Sequence, residues 1–313
     1  MLITVVIPSL GRDRRLLDTL GDLARQNYEP WECIVVLQGV PSPALLASMR
    51  QCLGSRLRMF HCDEPNASLA RNIGLREARG DVVLFLDDDV QISDPLFLRN
   101  HAACFEDSTC PGATGPILAP GAKLRLTRHW LSRHRTAGWL FFPPNYGERT
   151  EVGNGTSANL SVRRDFAIEV GGMDANYEKG AHREETDFCL RLTKRFGPLR
   201  YEPSNALVHF GERTGGCRTW GHNSGIHPLH HVCGEWYFIL KGLRLRTIPF
   251  TDVPLHIFVL LRRQVFNRSN LLQPSSVFRA LAQSWRGLRK AMERLERGPR
   301  LICSLDSATY REL

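Results

Sequence analysis

Asp81-Val82-Val83-Leu84-Phe85-Leu86-Asp87-Asp88-Asp89-Val90 is the stretch that decides the fold we expect. Its five consecutive apolar residues predict a strand that is buried on both faces. Because the acids follow this strand directly, we expect them at its carboxyl end, the edge of an open α/β sheet where ligands bind. Three adjacent carboxylates repel one another, and a divalent hard cation such as Mg2+ or Mn2+ is their simplest partner. The alternative is an acidic surface turn that follows a core strand.

Strands and helices alternate before this stretch. Apolar runs predict strands at residues 2–7, 33–37 and 57–62, and helical spacing of apolar side chains predicts helices at 14–26, 44–52 and 68–79. The connections are mostly short. This alternation predicts an α/β fold with a doubly wound, mostly parallel sheet.

The composition is ordinary for a globular protein except in its charge. The chain has 313 residues, of which 42% are hydrophobic and 23% are charged, and this length allows one elaborated domain or two. The net charge is +9. Residues 240–313 hold 14 Lys/Arg and 5 Asp/Glu, and the difference of 9 accounts for all of it. The basicity is therefore a property of the C-terminal region.

The cysteines and the N-terminus favour a cytoplasmic protein. Nine cysteines without a C-x-x-C pair predict neither a disulfide framework nor a zinc ribbon, and the His/Cys spacings between His209 and Cys233 match no standard zinc site. The first residues lead directly into an apolar strand, and no apolar run reaches the roughly 18 residues of a membrane span. We expect neither a signal peptide nor a membrane span.

The turn after the first predicted strand argues against a dinucleotide-binding fold. It reads Pro8-Ser9-Leu10-Gly11-Arg12, with one glycine where that fold has G-x-G-x-x-G. Without this phosphate cradle, a metal must neutralise a pyrophosphate if one binds. The turn therefore favours the three aspartates as metal ligands.

Several motifs, in this order and at these intervals, resemble the nucleotide-sugar half of family 2 inverting glycosyltransferases of the GT-A fold. They are Val5-Val6-Ile7-Pro8-Ser9, Asn66-Ala67-Ser68-Leu69-Ala70-Arg71-Asn72-Ile73-Gly74-Leu75, the stretch from Gly80 to Asp89, Gly171-Gly172-Met173-Asp174 and Glu184-Glu185-Thr186-Asp187. The resemblance covers roughly residues 2–210. It implies an enzyme that moves a sugar from a nucleoside diphosphate sugar to a hydroxyl of a glycan or lipid-linked acceptor.

The resemblance also implies the metal ligands. The family's D-x-D motif corresponds to Asp87-Asp88-Asp89. Asp87 would face the ribose or the metal, Asp89 would coordinate Mg2+ or Mn2+, and Asp88 holds the variable position but could share in ligation. His209 follows an apolar run and matches a histidine that touches the metal or the diphosphate; a buried structural histidine is the alternative.

Four further residues would seat the nucleotide. Arg71 resembles an arginine that approaches it, and its charge suits a pyrophosphate; a helix-surface arginine is the alternative. Pro8, Ser9 and Gln38 lie at the ends of the first two predicted strands, on the edge where they would meet the base. Relatives often carry an acid near Gln38 and a glycine at Ala67, so this chain departs from the family at the base pocket.

The second acidic cluster opens a helix and carries the predicted catalytic residue. In the family this position reads Glu-Asp, and the second acid is the general base, which corresponds to Glu185. It would take the proton of the acceptor hydroxyl as the oxygen attacks the anomeric carbon. Glu184 and Asp187 remain alternatives for the base, and acids in a first turn also serve as helix caps.

Three segments between the motifs have looser interpretations. Residues 129–146 contain five aromatic residues, which form either a small core or contacts to a sugar, where an acceptor-binding insertion is expected. Residues 157–162 alternate polar and apolar like a half-exposed strand. Residues 211–225 contain five glycines, which suggests a lid over the donor.

We expect a catalytic domain at residues 1–235, with a nucleotide-sugar half at 1–110 and an acceptor half at 111–235, followed by a basic helical extension at 236–313. The extension contains a helix with one apolar face, made of Val277, Phe278, Leu281, Trp285, Leu288, Met292 and Leu295. With arginines off that face, such a helix can lie peripherally on the inner face of an anionic membrane or pack on its own domain. No nucleic-acid-binding motif accompanies the charge, so we expect no nucleic-acid partner.

Two other functions compete. A nucleotidyltransferase that makes sugar nucleotides would share the fold and the acidic ligands. It needs a basic, glycine-rich loop after the first strand. Gly11-Arg12-Asp13-Arg14-Arg15 matches this pattern only weakly. A non-catalytic glycan- or membrane-binding protein would have no metal-dependent affinity for nucleotides.

Overall fold

The structure is a computed structural model, and it describes residues 1–127, 135–179, 182–212, 214–216 and 226–313. The strands of this part are β1 Ile3–Ser9, β2 Trp31–Gln38, β3 Leu57–Cys62, β4 Val82–Leu86, β5 Val90–Gln91, β6 Gly112–Thr114, β7 Ile117–Leu118, β8 Thr150–Val152, β9 Asn159–Arg163, β10 Leu199–Tyr201, β11 Leu207–His209 and β12 Tyr310–Glu312. Its α-helices are α1 Asp13–Ala24, α2 Pro43–Leu53, α3 Ala67–Glu77, α4 Phe97–Ala103, α5 Arg164–Glu169, α6 Glu184–Phe196, α7 Leu229–Arg244, α8 Val253–Gln264, α9 Arg268–Leu271 and α10 Pro274–Arg297.

A nine-stranded sheet forms the centre, in the order β12-β3-β2-β1-β4-β9-β6-β10-β8. Strands β3, β2, β1, β4, β6 and β10 run in one direction, and β9, β8 and β12 run against them. The mostly parallel sheet predicted from the alternation is therefore confirmed. Because β1 to β4 are parallel, their carboxyl ends meet at one edge of the sheet.

The central strands are buried on both faces, as their unbroken apolar runs predicted. On one face, Leu84 packs in a cluster with Leu16 and Leu20 of α1. On the other, Phe85 packs in a cluster with Ile73 of α3. Burying each such side chain stabilises the fold by about 1.5–3 kcal/mol. The acid-bearing end of β4 therefore follows a strand that is buried along its whole length.

Strand β9 is buried and not half-exposed, contrary to the prediction for residues 157–162. It lies between β4 and β6, and its polar side chains are satisfied inside the protein. His101 Nδ1 lies 2.8 Å from Ser161 Oγ, and His101 Nε2 lies 3.1 Å from Asn159 Oδ1. Burial lowers the pKa of His101 to about 3, so the ring is neutral. The alternating pattern reflects an internal polar network.

The predicted domain boundary at residue 236 falls inside α7. Tyr237 and Phe238 of this helix pack in one cluster with Tyr177 and Leu190. At the end of the chain, β12 pairs antiparallel with β3 and becomes an edge strand of the large sheet. The basic extension is thus part of the same fold, because its apolar side chains complete the core. Among the described helices, none combines the length and apolar character needed to cross a membrane.

Candidate active site

Asp87 and Asp89 follow β4 at the edge where the parallel strands end. Arg71 Nη2 of α3 donates to Asp87 Oδ1 at 2.7 Å. Asp89 is fully buried, and the backbone N–H of Glu212 donates to its Oδ2 at 2.9 Å. Burial alone would raise the pKa of each carboxyl, but hydrogen bonds from His209 and nearby positive charges lower both below the ordinary range. Both acids are therefore carboxylates at neutral pH.

A small second sheet brings His209 to these acids. Its strand order is β5-β11-β7, and β5 begins directly after Asp89. His209 pairs with Val90 in this sheet, so its Nε2 lies 3.1 Å from Asp89 Oδ1 and 3.4 Å from Asp87 Oδ2. Burial would lower the pKa of His209, but its hydrogen bonds to the two aspartates raise it to about 10.

The donor set fits a divalent cation. Asp87, Asp89 and His209 each offer one ligand atom, and these atoms lie within 4.8 Å of one another. Two carboxylate oxygens suit Mg2+ or Mn2+. The imidazole of His209 would complete the set once the incoming cation displaces the proton that the two aspartates hold on it. The three residues predicted as metal ligands are thus brought together at one point.

Asp88 points to different partners. Ser9 Oγ donates to its Oδ2 at 2.7 Å, and Arg12 Nη1 lies 3.0 Å from its Oδ1. Burial raises the pKa of Asp88 to about 6, against the effects of Arg12 and Ser9. Ser9 therefore positions Asp88, and its contact with a base stays a prediction.

Arg12 is a site residue that the sequence did not single out. Its Nη1 also lies 3.1 Å from Asp89 Oδ2, and its Nε and Nη2 donate to the backbone carbonyls of Thr214 and Gly215. It directly follows Gly11, whose φ of 65° turns the chain after β1. A basic residue just beyond the first strand, on the edge that carries three acids, was the available signal.

A cavity of about 230 Å³ opens at this edge. Among the predicted site residues, its lining includes Pro8, Gln38, Arg71, Asp87, Asp88, Glu185 and His209. Ser9 and Asp89 are not in the lining. Gln38 Nε2 donates to the backbone carbonyls of Glu64 and Asn66, which holds the amide at the cavity wall. The cavity joins the metal-ligand group to the second acidic cluster.

Helix α6 carries the second cluster, and Glu184 and Glu185 in its first turn both line this cavity. Arg183 precedes the helix with a left-handed φ of 85°. Burial, and next the charge of Glu185, raise the pKa of Glu184 well above the ordinary range. Because a neighbouring negative charge and burial both disfavour ionisation, Glu184 holds its proton more firmly than an ordinary glutamate and is the poorer candidate for the base.

A second cavity of about 240 Å³ also borders Glu185. Its lining includes Trp139, Phe142, Tyr201 and Arg183, and it shares Thr156 and Glu185 with the first cavity. The rings of Phe142, Tyr146 and Tyr201 pack edge to face. The aromatic residues of this region are therefore both a small core and a cavity wall. His129 and Trp130 lie outside the described residues.

Asp187, an alternative for the base, points into the core. Lys241 Nζ lies 2.8 Å from Asp187 and 2.7 Å from Asp174, and Arg191 Nη2 lies 2.8 Å from Asp187. Although burial would raise the pKa of Asp187, Arg191 and Lys241 lower it. Asp187 does not line the cavity, so its role is structural.

We expect Lys241→Met to lower the free energy of unfolding by about 3–5 kcal/mol, because it removes the cation that the buried Asp174 and Asp187 share and leaves Asp187 with Arg191 alone. Denaturant unfolding measures this. Lys194→Met, on an exposed side chain of α6, should change it by less than about 0.5 kcal/mol. Since the pKa of Asp187 is lowered, its contribution is complete above the unfolded-state value of about 4 and is lost as pH falls. Equal stability of the two variants would contradict this assignment.

The glycine-rich segment and the histidine cluster are described only in part. Gly211 and Gly216 line the first cavity, and Gly216 N–H donates to the Leu10 carbonyl. The rest of the predicted lid, residue 213 and residues 217–225, lies outside the described residues, as do Cys217 and His222. Within the described ranges, the only group of three candidate metal ligands is that of Asp87, Asp89 and His209.

Sequence comparisons identify relatives of this chain. The family model for glycosyl transferase family 2 matches residues 4–171. Over 214 residues the chain is 26% identical to a glucosyl-dolichyl phosphate glucuronosyltransferase of Haloferax volcanii, which covers 62% of the chain and 64% of that protein. It is 28% identical over 209 residues to the succinoglycan biosynthesis protein ExoM of Rhizobium meliloti, with 63% of each covered. The chain thus spans less than two thirds of either relative.

Solved structures with the same fold include two nucleotide-sugar complexes. S. aureus TarS in complex with UDP-GlcNAc superposes with a TM-score of 0.63 at 14% identity, covering 95% of this chain and 92% of that one. The mannosyltransferase PcManGT of Pyrobaculum calidifontis, in complex with GDP-Man and Mn2+, gives 0.57 at 14% identity and covers 95% and 79%. These similarities confirm the GT-A fold.

Proposed function

The chain belongs to glycosyl transferase family 2, and from this premise we propose that it moves a sugar from a nucleoside diphosphate sugar to an acceptor hydroxyl, with inversion and with the help of a divalent metal. The observation that carries the proposal is one cavity whose lining includes Asp87 and His209, two members of the group of candidate metal ligands, together with Glu185. A transferase of this kind needs both a seat for the leaving diphosphate and a base for the incoming hydroxyl.

The donor diphosphate would lie over the carboxyl ends of β1 and β4. Arg12 and Arg71 line the cavity there and carry positive charge toward the phosphates. Pro8 and Gln38 line the part of the cavity where β1 and β2 end and would contact the base. Structural neighbours are complexes with UDP-GlcNAc and with GDP-Man, which supports a nucleotide-sugar donor here.

Asp87, Asp89 and His209 would hold the metal, Mg2+ or Mn2+. When bound, it would supply Lewis-acid stabilisation of the departing diphosphate. The carboxylates are ready for this role because their pKa values are low. Arg12 and Ser9 hold Asp88 aside from the three ligands.

Glu185 is the proposed general base. It accepts the proton of the acceptor hydroxyl while the oxygen forms its bond to the anomeric carbon and the bond from that carbon to the phosphate oxygen breaks. The nucleoside diphosphate leaves with the bonding electrons. A single displacement of this kind inverts the anomeric centre.

The acceptor would occupy the second cavity, since Glu185 lines both this cavity and the first. Trp139 offers a ring to the apolar face of a sugar, and Arg183 offers a hydrogen-bond donor. We propose a glycan or lipid-linked acceptor, used at the inner face of the membrane by a cytoplasmic protein that makes peripheral contact through its C-terminal helix. The relatives named for glucosyl-dolichyl phosphate and for succinoglycan support this acceptor class.

A thermal-shift panel tests the proposal. UDP, GDP, CDP and dTDP are each added with and without Mn2+, because a ligand that binds only the folded state raises the melting temperature. We expect at least one diphosphate to stabilise the chain only when Mn2+ is present. Stabilisation by triphosphates with release of pyrophosphate would instead support a nucleotidyltransferase. No stabilisation by any nucleotide would support a non-catalytic binding protein.

A further inference from the structure

Helix α10 meets the rest of the protein through its smallest side chains. The buried residues of this helix are Ser276, Ala280, Ser284, Gly287 and Ala291. A Cβ on Gly287 would lie 2.6 Å from Val232 Cγ1 of α7, so the two helices are in close contact. Trp236 Nε1 donates to Ser284 Oγ at 3.0 Å. The face that the sequence suggested for packing is therefore not the one that packs.

The large apolar side chains of α10 lie on another face. Phe278 is 74% exposed, Trp285 62%, and Leu281 and Met292 41% each. At about 100° per residue, these four lie within about 60° of one another and about 130° from the centre of the buried face. We call them the apolar strip. Val277, Leu288 and Leu295, predicted on the same face, are half-buried at its margin.

Positive charge lies beside the strip. Arg279, Arg286, Arg289 and Lys290 are exposed, and none of them forms an ion pair with a carboxylate of the described residues. From Pro274 to Met292 the helix has no acidic residue; its two glutamates, Glu293 and Glu296, are in the last turns. The exposed surface therefore combines aromatic and aliphatic side chains with unneutralised cations.

We propose that α10 docks on an anionic membrane surface, with the apolar strip at the boundary of the acyl chains and the flanking cations among the lipid headgroups. Charge complementarity selects this occupant, because a run of cations with no acid favours anionic lipid. Exposed Trp and Phe beside Arg and Lys are typical of helices that lie in the interface. The inference deepens the proposed function and rests on it for the lipid-linked acceptor.

Co-sedimentation with vesicles tests the docking. The full chain is mixed with phosphatidylcholine vesicles, with or without roughly a third of phosphatidylglycerol. We expect binding to the anionic vesicles and little to the neutral ones. The double variant F278S/W285S should lose about tenfold or more in partitioning. The matched control V40S, at a residue 95% exposed outside the extension, should bind as the parent does. R286E/R289E should lose the preference for anionic vesicles.

Three outcomes would overturn the docking: no binding of the parent chain to anionic vesicles, unchanged binding of F278S/W285S, or self-association that this variant abolishes in sedimentation velocity. The diphosphate and Mn2+ thermal shift is measured on the same samples. If F278S/W285S keeps that shift, its loss of vesicle binding is not a loss of folding. Vesicle binding by a parent chain without the shift would reject the proposed function and leave the docking intact.

Discussion

We expect Asp89→Ala to lose the Mn2+-dependent stabilisation by nucleoside diphosphates and to slow sugar transfer by about 10³-fold or more. Asp89 is fully buried, and its Oδ1 lies 3.1 Å from His209 Nε2. Its removal leaves only Asp87 and His209 to hold the cation. The lost charge stabilisation of the leaving group is several kcal/mol, and each 1.36 kcal/mol is tenfold in rate. The measurements are thermal shift across a Mn2+ titration and turnover of the donor that the panel identifies.

The matched control is Asp81→Asn. Asp81 directly precedes β4, at the opposite end from the metal-ligand group, and is exposed. Its change should leave nucleotide binding and turnover at the parent level. Asp89→Asn keeps the side-chain volume and removes only the charge, so it separates ligation from packing. Parent-like stabilisation of Asp89→Ala by diphosphate and Mn2+ would show that the cation binds elsewhere.

We expect Glu185→Gln to keep metal-dependent nucleotide binding and to lose turnover by about 10²–10⁴-fold, the usual effect of removing a general base. The amide preserves the shape of the side chain but cannot accept the proton of the acceptor. Thermal shift with diphosphate and Mn2+ measures binding, and transfer to a glycan acceptor measures turnover. Glu185→Gln should therefore lose turnover and keep nucleotide binding, whereas Asp89→Ala should lose both.

Glu184→Gln is the control for the choice between the two glutamates. Because burial and the charge of Glu185 keep Glu184 protonated, its amide is close in charge and shape to the group it replaces. We expect a much smaller loss of turnover than for Glu185→Gln. If Glu184→Gln loses turnover while Glu185→Gln keeps it, the base is Glu184. Full activity of both variants would remove the base from this cluster altogether.

Much of the scaffold could be predicted because its signals are local. Unbroken apolar runs in β1, β2 and β4 reflect burial on both faces, and helical spacing in α1 and α3 reflects one buried face each. The position of the three aspartates follows from chain direction, since residues after parallel strands share one edge of the sheet. Strand β9 is a case in which the local pattern does not predict burial correctly. Asn159 and Ser161 alternate with apolar residues, although both are buried. Their partner His101 is about 60 residues away.

The residues of the candidate site also divide into those that the sequence predicts and those whose contacts depend on tertiary packing. His209 and Glu185 were predicted only through a resemblance, since no local pattern links them to Asp87. Arg12 was not predicted as a site residue, because it was considered only as part of a loop that weakly matches the basic, glycine-rich pattern. It nevertheless contacts Asp88 and Asp89. Contacts that span 70 or more residues depend on how the elements pack. A single sequence carries the residue types for such contacts and not their pairing.

By itself, the sequence determined the alternation of strands and helices, the sheet edge that carries Asp87 to Asp89, and the location of the net charge in the last quarter of the chain. Only the tertiary structure decided that β5 and β11 bring His209 to those acids, that Asp187 is neutralised by Lys241 and Arg191, and that α10 packs through small residues. The physical reason is that hydrophobic periodicity indicates which side chains are buried on average. The close approach of two helices instead favours small side chains over the most apolar ones. The apolar strip of α10 was therefore visible in the sequence, but its exposure was not.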